Sequence, residues 1–332
     1  MVVQLNSNTS EETAQGIARQ LSAAIFEEAG RWILVTPSSL KALPEAISGQ
    51  VAAAWPMDTD IQLASKNYKG EVRKIHWGNH AIGGTTNNTV VIAGPCSIES
   101  WEQIEAVAKL LKSLNIGTLR AGCYKPRTSP YTFQGLGLEG LKMLAEVRRQ
   151  YGLNIITEVK DSSHIEEVIE YTDIVQIGAK AMYDHSILRR CGEIRKPVLL
   201  KRGFGTTLQE FVQAAEFILS GGNGEVILCE RGIRTFETKT RFTFDLCGAA
   251  WLKQHTNCPI VLDPSHAMGY AYGVPDLAKA SMAFGCDGLL IEVHPNPKEA
   301  KSDASQQLDF PVFTKMMGDL KTIAGAVGRQ VV

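Results

Sequence analysis

From Thr89 onward the chain alternates short apolar runs with longer segments of helical period, and it does so eight times. The runs read TVVIAGPC, GTLRAGCY, LNIITEV, DIVQIGA, PVLLKRG, EVILCERG, PIVLDPSH and GLLIEVHP. Helical segments lie between them, at residues 102–113, 138–150, 164–171, 186–191, 208–219, 242–255 and 276–284, with a last one at 313–327. Eight such strand–helix units in about 245 residues predict an α/β fold of the (β/α)8 TIM barrel type. An open doubly wound sheet is the competing arrangement.

Residues 1–80 have a different texture and are predicted as a small α+β domain ahead of a barrel spanning 81–332. Val2 to Leu5 reads as a strand. Ser10, with Glu11 and Glu12 behind it, is an N-cap signal for a helix burying Ile17, Leu21, Ala24 and Ile25. Further strands are predicted at 31–36, 50–55 and 71–77, with a helical stretch in SSLKALPEAI, and IGGTTNN (Ile82 to Asn88) reads as the boundary.

Charge and cysteine usage narrow the function. With 34 basic and 35 acidic residues the formal net charge is −1, so the footprint of a nucleic-acid or membrane-surface binder is missing and any anion specificity must be local. No apolar run reaches membrane-spanning length, and MVVQLNSNTSEET lacks the features of a signal peptide. Seven cysteines without a CxxC pair signal neither a zinc knuckle nor a disulfide framework. A cytoplasmic location is expected.

In a barrel of this kind the chemistry sits at the C-terminal ends of the strands. The first strand ends in Cys96, the second in Arg120 with Lys125 and Arg127 beyond it, and the third in Glu158. The fourth ends near Lys180, the fifth in Lys201 and Arg202, and the sixth in Glu230 and Arg231. Asp263 and His266 follow the seventh, Glu292 and His294 the eighth, and Asp303 lies in the loop after it. Closure makes the eighth strand the neighbour of the first. Cys96, His266, Glu292 and Asp303 then converge on one sector. That mixed S/N/O donor set suits Mn²⁺, Fe²⁺, Co²⁺ or Zn²⁺ better than Ca²⁺ or Mg²⁺.

Arg120, Lys125, Arg127, Lys180, Lys201 and Arg231 fill the other sector, where so many cations imply an anionic guest such as a phosphate ester. Each signal has a blander counterpart. Asp263 and His266 could cap a helix, Glu292 could face solvent at the rim, and Arg231 and Arg234 could pair with Glu230 and Glu237. The remaining cysteines, Cys191, Cys247, Cys258 and Cys286, read as core. It is the sorting of every strand end into an acid/thiol half and a cationic half that favours a functional reading.

GPCSIES (Gly94 to Ser100), LRAGCYKPRTSP (Leu119 to Pro130), LLKRGF, ILCERGIRTF, DPSH and EVHPNPKEAKSDASQQL together resemble the 3-deoxy-D-arabino-heptulosonate 7-phosphate (DAHP) synthases. The likeness is to the short microbial subgroup related to 3-deoxy-D-manno-octulosonate 8-phosphate (KDO8P) synthase. It implies a transferase that condenses phosphoenolpyruvate with erythrose 4-phosphate and releases phosphate, at the head of the shikimate route to aromatic amino acids. The rival within the same chemistry, KDO8P synthase, takes arabinose 5-phosphate and carries a KANRSS-like segment, whereas KPRTS (Lys125 to Ser129) stands intact here. A Schiff-base aldolase using Lys201 and an inactive phosphometabolite sensor are the more distant rivals.

By the same resemblance Cys96, His266, Glu292 and Asp303 are metal ligands. Arg120, Lys125, Lys180, Lys201 and Arg231 hold phosphoenolpyruvate, and Arg127 and Thr128 hold the aldose phosphate. Lys125 is the expected proton donor, its pKa depressed by cationic neighbours. Relatives commonly have Arg where Lys180 stands, which implies weaker phosphoenolpyruvate binding. The first 80 residues resemble a ferredoxin-like extension that binds an aromatic amino acid as effector or serves assembly, and a homotetramer is expected.

Overall fold

The computed structural model describes residues 1–125, 129 and 131–332; Arg127 and Thr128 lie outside the described residues. Strand β1 (Val2–Leu5), helix α1 (Glu11–Leu21), β2 (Ala24–Glu28), β3 (Arg31–Val35) and β4 (Val51–Trp55) form an antiparallel sheet in the order β2-β3-β1-β4. That is the ferredoxin-like order. A 3-10 turn at Glu45–Gln50 stands in the place of the second helix.

Two expectations are corrected here. The first helix stops at Leu21, because Ser22 adopts a left-handed conformation (φ 50°) and its N–H returns to Ala18 and Arg19. Ala24 and Ile25 therefore belong to β2. Ala29 (φ 51°) and Gly30 (φ 75°), both left-handed, turn that strand tightly back into β3. The stretch SSLKALPEAI is helical only in the 3-10 turn that begins after Pro44, a residue that disfavours helix in the position before it.

The predicted strand at 71–77 shortens to β5 (Lys74–Trp77) and pairs with an unforeseen β6 (His80–Gly83) that runs into the start of the expected boundary at Ile82. This hairpin is a plug. Its Ile75, Trp77 and Ile82 pack with Val90, Ile92, Ile156, Ile174, Leu199, Ile227, Val261 and Leu290 in the barrel interior. The Trp77 indole donates to Thr118 Oγ1 at 2.9 Å.

The barrel runs β7 (Asn88–Gly94), α2 (Trp101–Ser113), β8 (Thr118–Arg120), α3 (Leu138–Tyr151), β9 (Asn154–Val159), α4 (Ile165–Tyr171), β10 (Ile174–Ile177), α5 (His185–Glu193), β11 (Val198–Lys201) and α6 (Leu208–Leu219). It continues with β12 (Val226–Glu230), α7 (Leu246–His255), β13 (Ile260–Leu262), α8 (Pro264–Met268), α9 (Val274–Phe284), β14 (Gly288–Glu292), α10 (Phe310–Ala326) and the short β15 (Gln330–Val331). Parallel neighbours follow in sequence order, and β14 closes on β7 from Gly288↔Val90 to Glu292↔Gly94. The closed barrel is therefore present, and the open sheet is excluded.

Helix α7 starts four residues later than expected. Asp245 caps it by accepting from Gly248 N, while Thr243 upstream bridges to Ile233. The small domain packs on the barrel, and the segment that follows its sheet is held to α6 by a carboxylate. Val2 and Ile33 join the cluster between sheet and helices, and Glu216 of α6 accepts the N–H groups of Gln62, Leu63 and Ala64 at 2.7, 3.1 and 2.8 Å. Among the described residues no helix is long and apolar enough to cross a membrane.

Candidate active site

Strand β7 ends at Gly94, with Pro95 and Cys96 just beyond it, and the glycine is required by a close approach. At its φ of 153° a Cβ would lie 2.0 Å from the carbonyl oxygen of Arg120. The chain thus passes over the end of β8 and delivers Cys96 to the barrel mouth. Glu292 ends β14, the partner of β7 across the closure. Asp303 arrives from the following loop in a left-handed conformation (φ 46°) that is uncommon for aspartate.

These three side chains meet. Sγ of Cys96 and one carboxylate oxygen each of Glu292 and Asp303 lie within 4.8 Å of one another. The thiol donates to Asp303 Oδ2 at 3.2 Å, and the Lys125 ammonium donates to the same sulfur at 3.0 Å and to the Cys96 carbonyl at 3.2 Å. Burial, with help from Glu292 and Asp303, pushes the Cys96 thiol up to about 12.

His266 stands at the edge of the trio, its Nε2 3.6 Å from Glu292 Oε1. Its other nitrogen, Nδ1, is 2.8 Å from Asp263 Oδ2. A proton on Nδ1 shared with that carboxylate leaves the Nε2 lone pair facing the trio, an arrangement typical of metal-bound imidazoles. Burial holds the His266 pKa below its ordinary value and so favours the neutral ring. Asp263 also caps α8, accepting from His266 N at 2.9 Å, so capping and site chemistry coexist in DPSH.

The cationic half is less bare than the sequence implies. Arg120 donates to Glu292 Oε1 at 2.5 Å, and Lys201 donates to Asp263 Oδ2 at 2.7 Å, both pairs being buried. Two of the predicted cations are therefore neutralised by carboxylates and not by a guest alone. Arg202 turns away altogether and pairs with Glu230 at 2.9 Å and Asp245 at 2.7 Å. Glu230 is fully buried with it instead of facing the mouth. Glu292 is fully buried too, which removes the solvated-rim alternative.

Arg231 has no ion-pair partner among the described residues. Its guanidinium lies over Phe242, 4.0 Å from the ring centroid, and its buried Nε has no hydrogen-bond partner. The pairing with Glu230 is absent because Arg202 already occupies that carboxylate.

Lys125, Lys180, Lys201, Arg231, His266 and Asp303 line one cavity of about 150 Å³, with Glu158, Arg241, Phe204 and Phe242. The expected depression of the Lys125 pKa is not found. Burial acts in that direction, but the Cys96 sulfur and Glu158 outweigh it and raise the value, so the amine stays protonated at neutral pH. Cys247, expected in the core, is exposed; the other six cysteines are buried.

Sequence reasoning missed Arg241, Gln306 and Gln307. Arg241 Nη1 donates to Gln306 Oε1 at 2.6 Å and lies 3.4 Å from Asp303 Oδ1. It comes from a loop ten residues beyond Arg231, where strand-end bookkeeping does not look. The glutamines follow Asp303 closely, and neutral amides carry no charge signal.

The geometry agrees with what the chain is similar to. The model of the DAHP synthetase I family matches residues 62–325. A phospho-2-dehydro-3-deoxyheptonate aldolase of Thermotoga maritima is 43% identical over 270 residues, covering 81% of this chain and 79% of that protein. A 2-dehydro-3-deoxyphosphooctonate aldolase of Thioalkalivibrio sulfidiphilus is 30% identical, covering 76% of this chain and 95% of its own length. Among solved structures, the Thermotoga maritima DAHP synthase superposes with a TM-score of 0.79 at 35% identity over 100% of this chain and 98% of that one. A truncated form of the Thermotoga maritima enzyme gives 0.76 at 39% identity over 81% of this chain and 98% of its own. The chain belongs to the DAHP synthetase I family.

Proposed function

We propose that the two halves of the barrel mouth divide the work of DAHP synthesis, the condensation of phosphoenolpyruvate with erythrose 4-phosphate and water to give 3-deoxy-D-arabino-heptulosonate 7-phosphate and phosphate. The observation that carries this reading is one small cavity lined by His266 and Asp303, the latter joined to Cys96 and Glu292 just behind it, and by the Arg231 guanidinium, which has no ion-pair partner among the described residues.

The donor set fits a divalent ion. A thiol and two carboxylates crowd together beside an imidazole whose free nitrogen faces them, a combination suited to Mn²⁺, Fe²⁺, Co²⁺ or Zn²⁺. Bound by Cys96, His266, Glu292 and Asp303, such an ion would supply polarisation of the aldehyde oxygen. Arg231, Lys180 and Lys125 hold the phosphate and carboxylate of phosphoenolpyruvate, while Arg120 and Lys201 add positive potential from their buried pairs. Arg127 and Thr128 bind the phosphate of the aldose.

With the two substrates held together, C3 of the enol attacks the aldehyde carbon, and Lys125, protonated at neutral pH, donates a proton to the aldehyde oxygen. Water adds to the former enol C2, and the hemiketal phosphate releases inorganic phosphate. Phe204 and Phe242 shield the cavity wall beneath the cations.

The small N-terminal domain of residues 1–55 binds an aromatic amino acid as a feedback effector, the protein assembles as a homotetramer, and it works in the cytoplasm. A separable N-terminal part is supported by the Thermotoga maritima structures, one of which matches 100% of this chain and the truncated form 81% of it. The test is phosphoenolpyruvate consumption by metal-stripped protein with Mn²⁺ or Zn²⁺ restored, offering erythrose 4-phosphate and arabinose 5-phosphate in parallel. Metal-dependent turnover with the four-carbon sugar is expected. Preference for the five-carbon sugar would transfer the reading to KDO8P synthesis, and metal-independent turnover would remove the metal from it.

A further inference from the structure

Two consecutive glutamines follow Asp303 and have no part in the reaction described above. Both are buried, Gln306 at 0% and Gln307 at 1% exposure, so their amides must find partners inside the protein. Gln306 spends its Nε2 on Glu292 Oε2 at 2.6 Å and its Oε1 on Arg241 at 2.6 Å. Gln307 faces the other way. Its Oε1 accepts the Cys96 N–H at 2.9 Å, and its Nε2 donates to the Ser302 carbonyl at 2.9 Å.

The consequence is a brace. Glu292 has one oxygen held by Arg120 and the other by Gln306, which fixes the plane of its carboxylate. The Cys96 backbone is tied through Gln307 to the loop that turns into Asp303, and Ser302 Oγ meets Ser97 Oγ at 2.6 Å beside it. Three ligand candidates from three separate chain segments thus share one scaffold. The residue type follows from the chemistry. A glutamine donor orients Glu292 without removing its charge, whereas a lysine there would compete with a cation and a glutamate would repel it.

We propose that Gln306 and Gln307 are positioning residues that set the affinity of the Cys96, His266, Glu292 and Asp303 centre for a divalent ion, an inference that rests on the metal-site reading given under the proposed function. The probe is Co²⁺, titrated into the metal-stripped full-length protein and followed by its visible absorption. The wild-type protein gives a thiolate-to-cobalt charge-transfer band and Cys96→Ser lacks it; absence of the band in the wild type would sink the metal-site reading itself.

With the band present, Gln306→Met and Gln307→Met, which keep volume and lose the amide, bind Co²⁺ roughly 10- to 100-fold more weakly. The ligand-field bands shift at Gln306→Met, and the charge-transfer band shifts at Gln307→Met. Affinity within threefold of wild type and unshifted bands in both variants would overturn the proposal. Should the methionine variants fail to fold, Gln306→Glu decides by the same readings, because it keeps an acceptor for Arg241 while losing the donor to Glu292.

Discussion

Removing the Arg231 guanidinium should weaken phosphoenolpyruvate binding while leaving the fold as stable as before, or more so. Arg231 is 4% exposed, and among the described residues its Nε has no partner and its guanidinium is held by the Phe242 face and a long 3.4 Å bond to the Gly232 carbonyl. An unsatisfied buried donor costs about 1–3 kcal/mol, and a charge-assisted bond to a ligand returns about 1.5–3 kcal/mol. Arg231→Leu should therefore lower kcat/KM for phosphoenolpyruvate at least 10- to 150-fold, by the equivalence of 1.4 kcal/mol to a factor of ten. Arg231→Lys, which keeps the charge and loses the fork, should fall between. KM for erythrose 4-phosphate should move less than about threefold in both, on the scale of an interaction left untouched. The assay pairs initial rates of phosphoenolpyruvate consumption with urea unfolding of the same samples. A normal KM for phosphoenolpyruvate in Arg231→Leu would refute the argument, as would a loss of more than about 2 kcal/mol of stability, since Arg231 would then be a strut of the barrel.

Other changes probe the remaining parts. Lys125→Met removes the proposed proton donor, and kcat should fall by roughly 100-fold or more; near-normal turnover would rule the role out. Asp263→Asn leaves the buried Lys201 ammonium without its carboxylate and should cost about 3–5 kcal/mol in urea unfolding. A loss below 1 kcal/mol there would mean that the ammonium finds another partner. The Glu28 carboxyl pairs with Lys69 at 2.7 Å; burial would raise its pKa, but Lys69 and Arg73 lower it overall. Its stabilisation is present above the ordinary glutamate value and is lost as pH falls through the folded one. Glu28→Gln should therefore cost about 0.5–1 kcal/mol at pH 7, discounted for partial exposure, and progressively less as the pH falls below the ordinary glutamate value; a cost that does not shrink on acidification would contradict it. Deleting residues 1–55 should keep turnover and abolish inhibition by tyrosine or phenylalanine. Deleting residues 1–80 also removes Ile75 and Trp77 from the barrel interior and should yield a much less stable protein by thermal melting.

The barrel was readable because each strand is a compact apolar run followed by an ionisable residue, and the strand ends therefore announced themselves. Cys96, Glu292 and Asp303 came together as expected because strand order alone decides who neighbours whom in a closed ring. What could not be read is pairing. Arg120 and Glu292 are 172 residues apart and Lys201 and Asp263 are 62 apart, so nothing local distinguishes a cation awaiting a ligand from one already matched. The extra strand β2 escaped for a related reason. Ala24 and Ile25 continue the period of α1, and only the left-handed turn at Ser22 separates them from it.

Those two buried pairs explain how so crowded a site holds its shape. A buried ion pair adds little net stability, because removing both charges from water offsets most of their attraction. Geometry is what it supplies. Arg120 reaches from β8 to Glu292 on β14, passing under the end of β7, and Lys201 reaches from β11 across β12 to Asp263 beyond β13. Each pair ties non-adjacent strand ends, and each carboxylate also faces His266, through Oε1 of Glu292 and Oδ2 of Asp263. The imidazole is thereby held at Nδ1 by Asp263, whose own position is fixed by Lys201, while its free Nε2 faces a Glu292 carboxylate fixed by Arg120. Among the described residues Arg231 makes no such pair, so on the proposed reading it is the cation best placed to recognise an anion, and the division of the mouth follows the pattern of pairing more closely than the tally of charges.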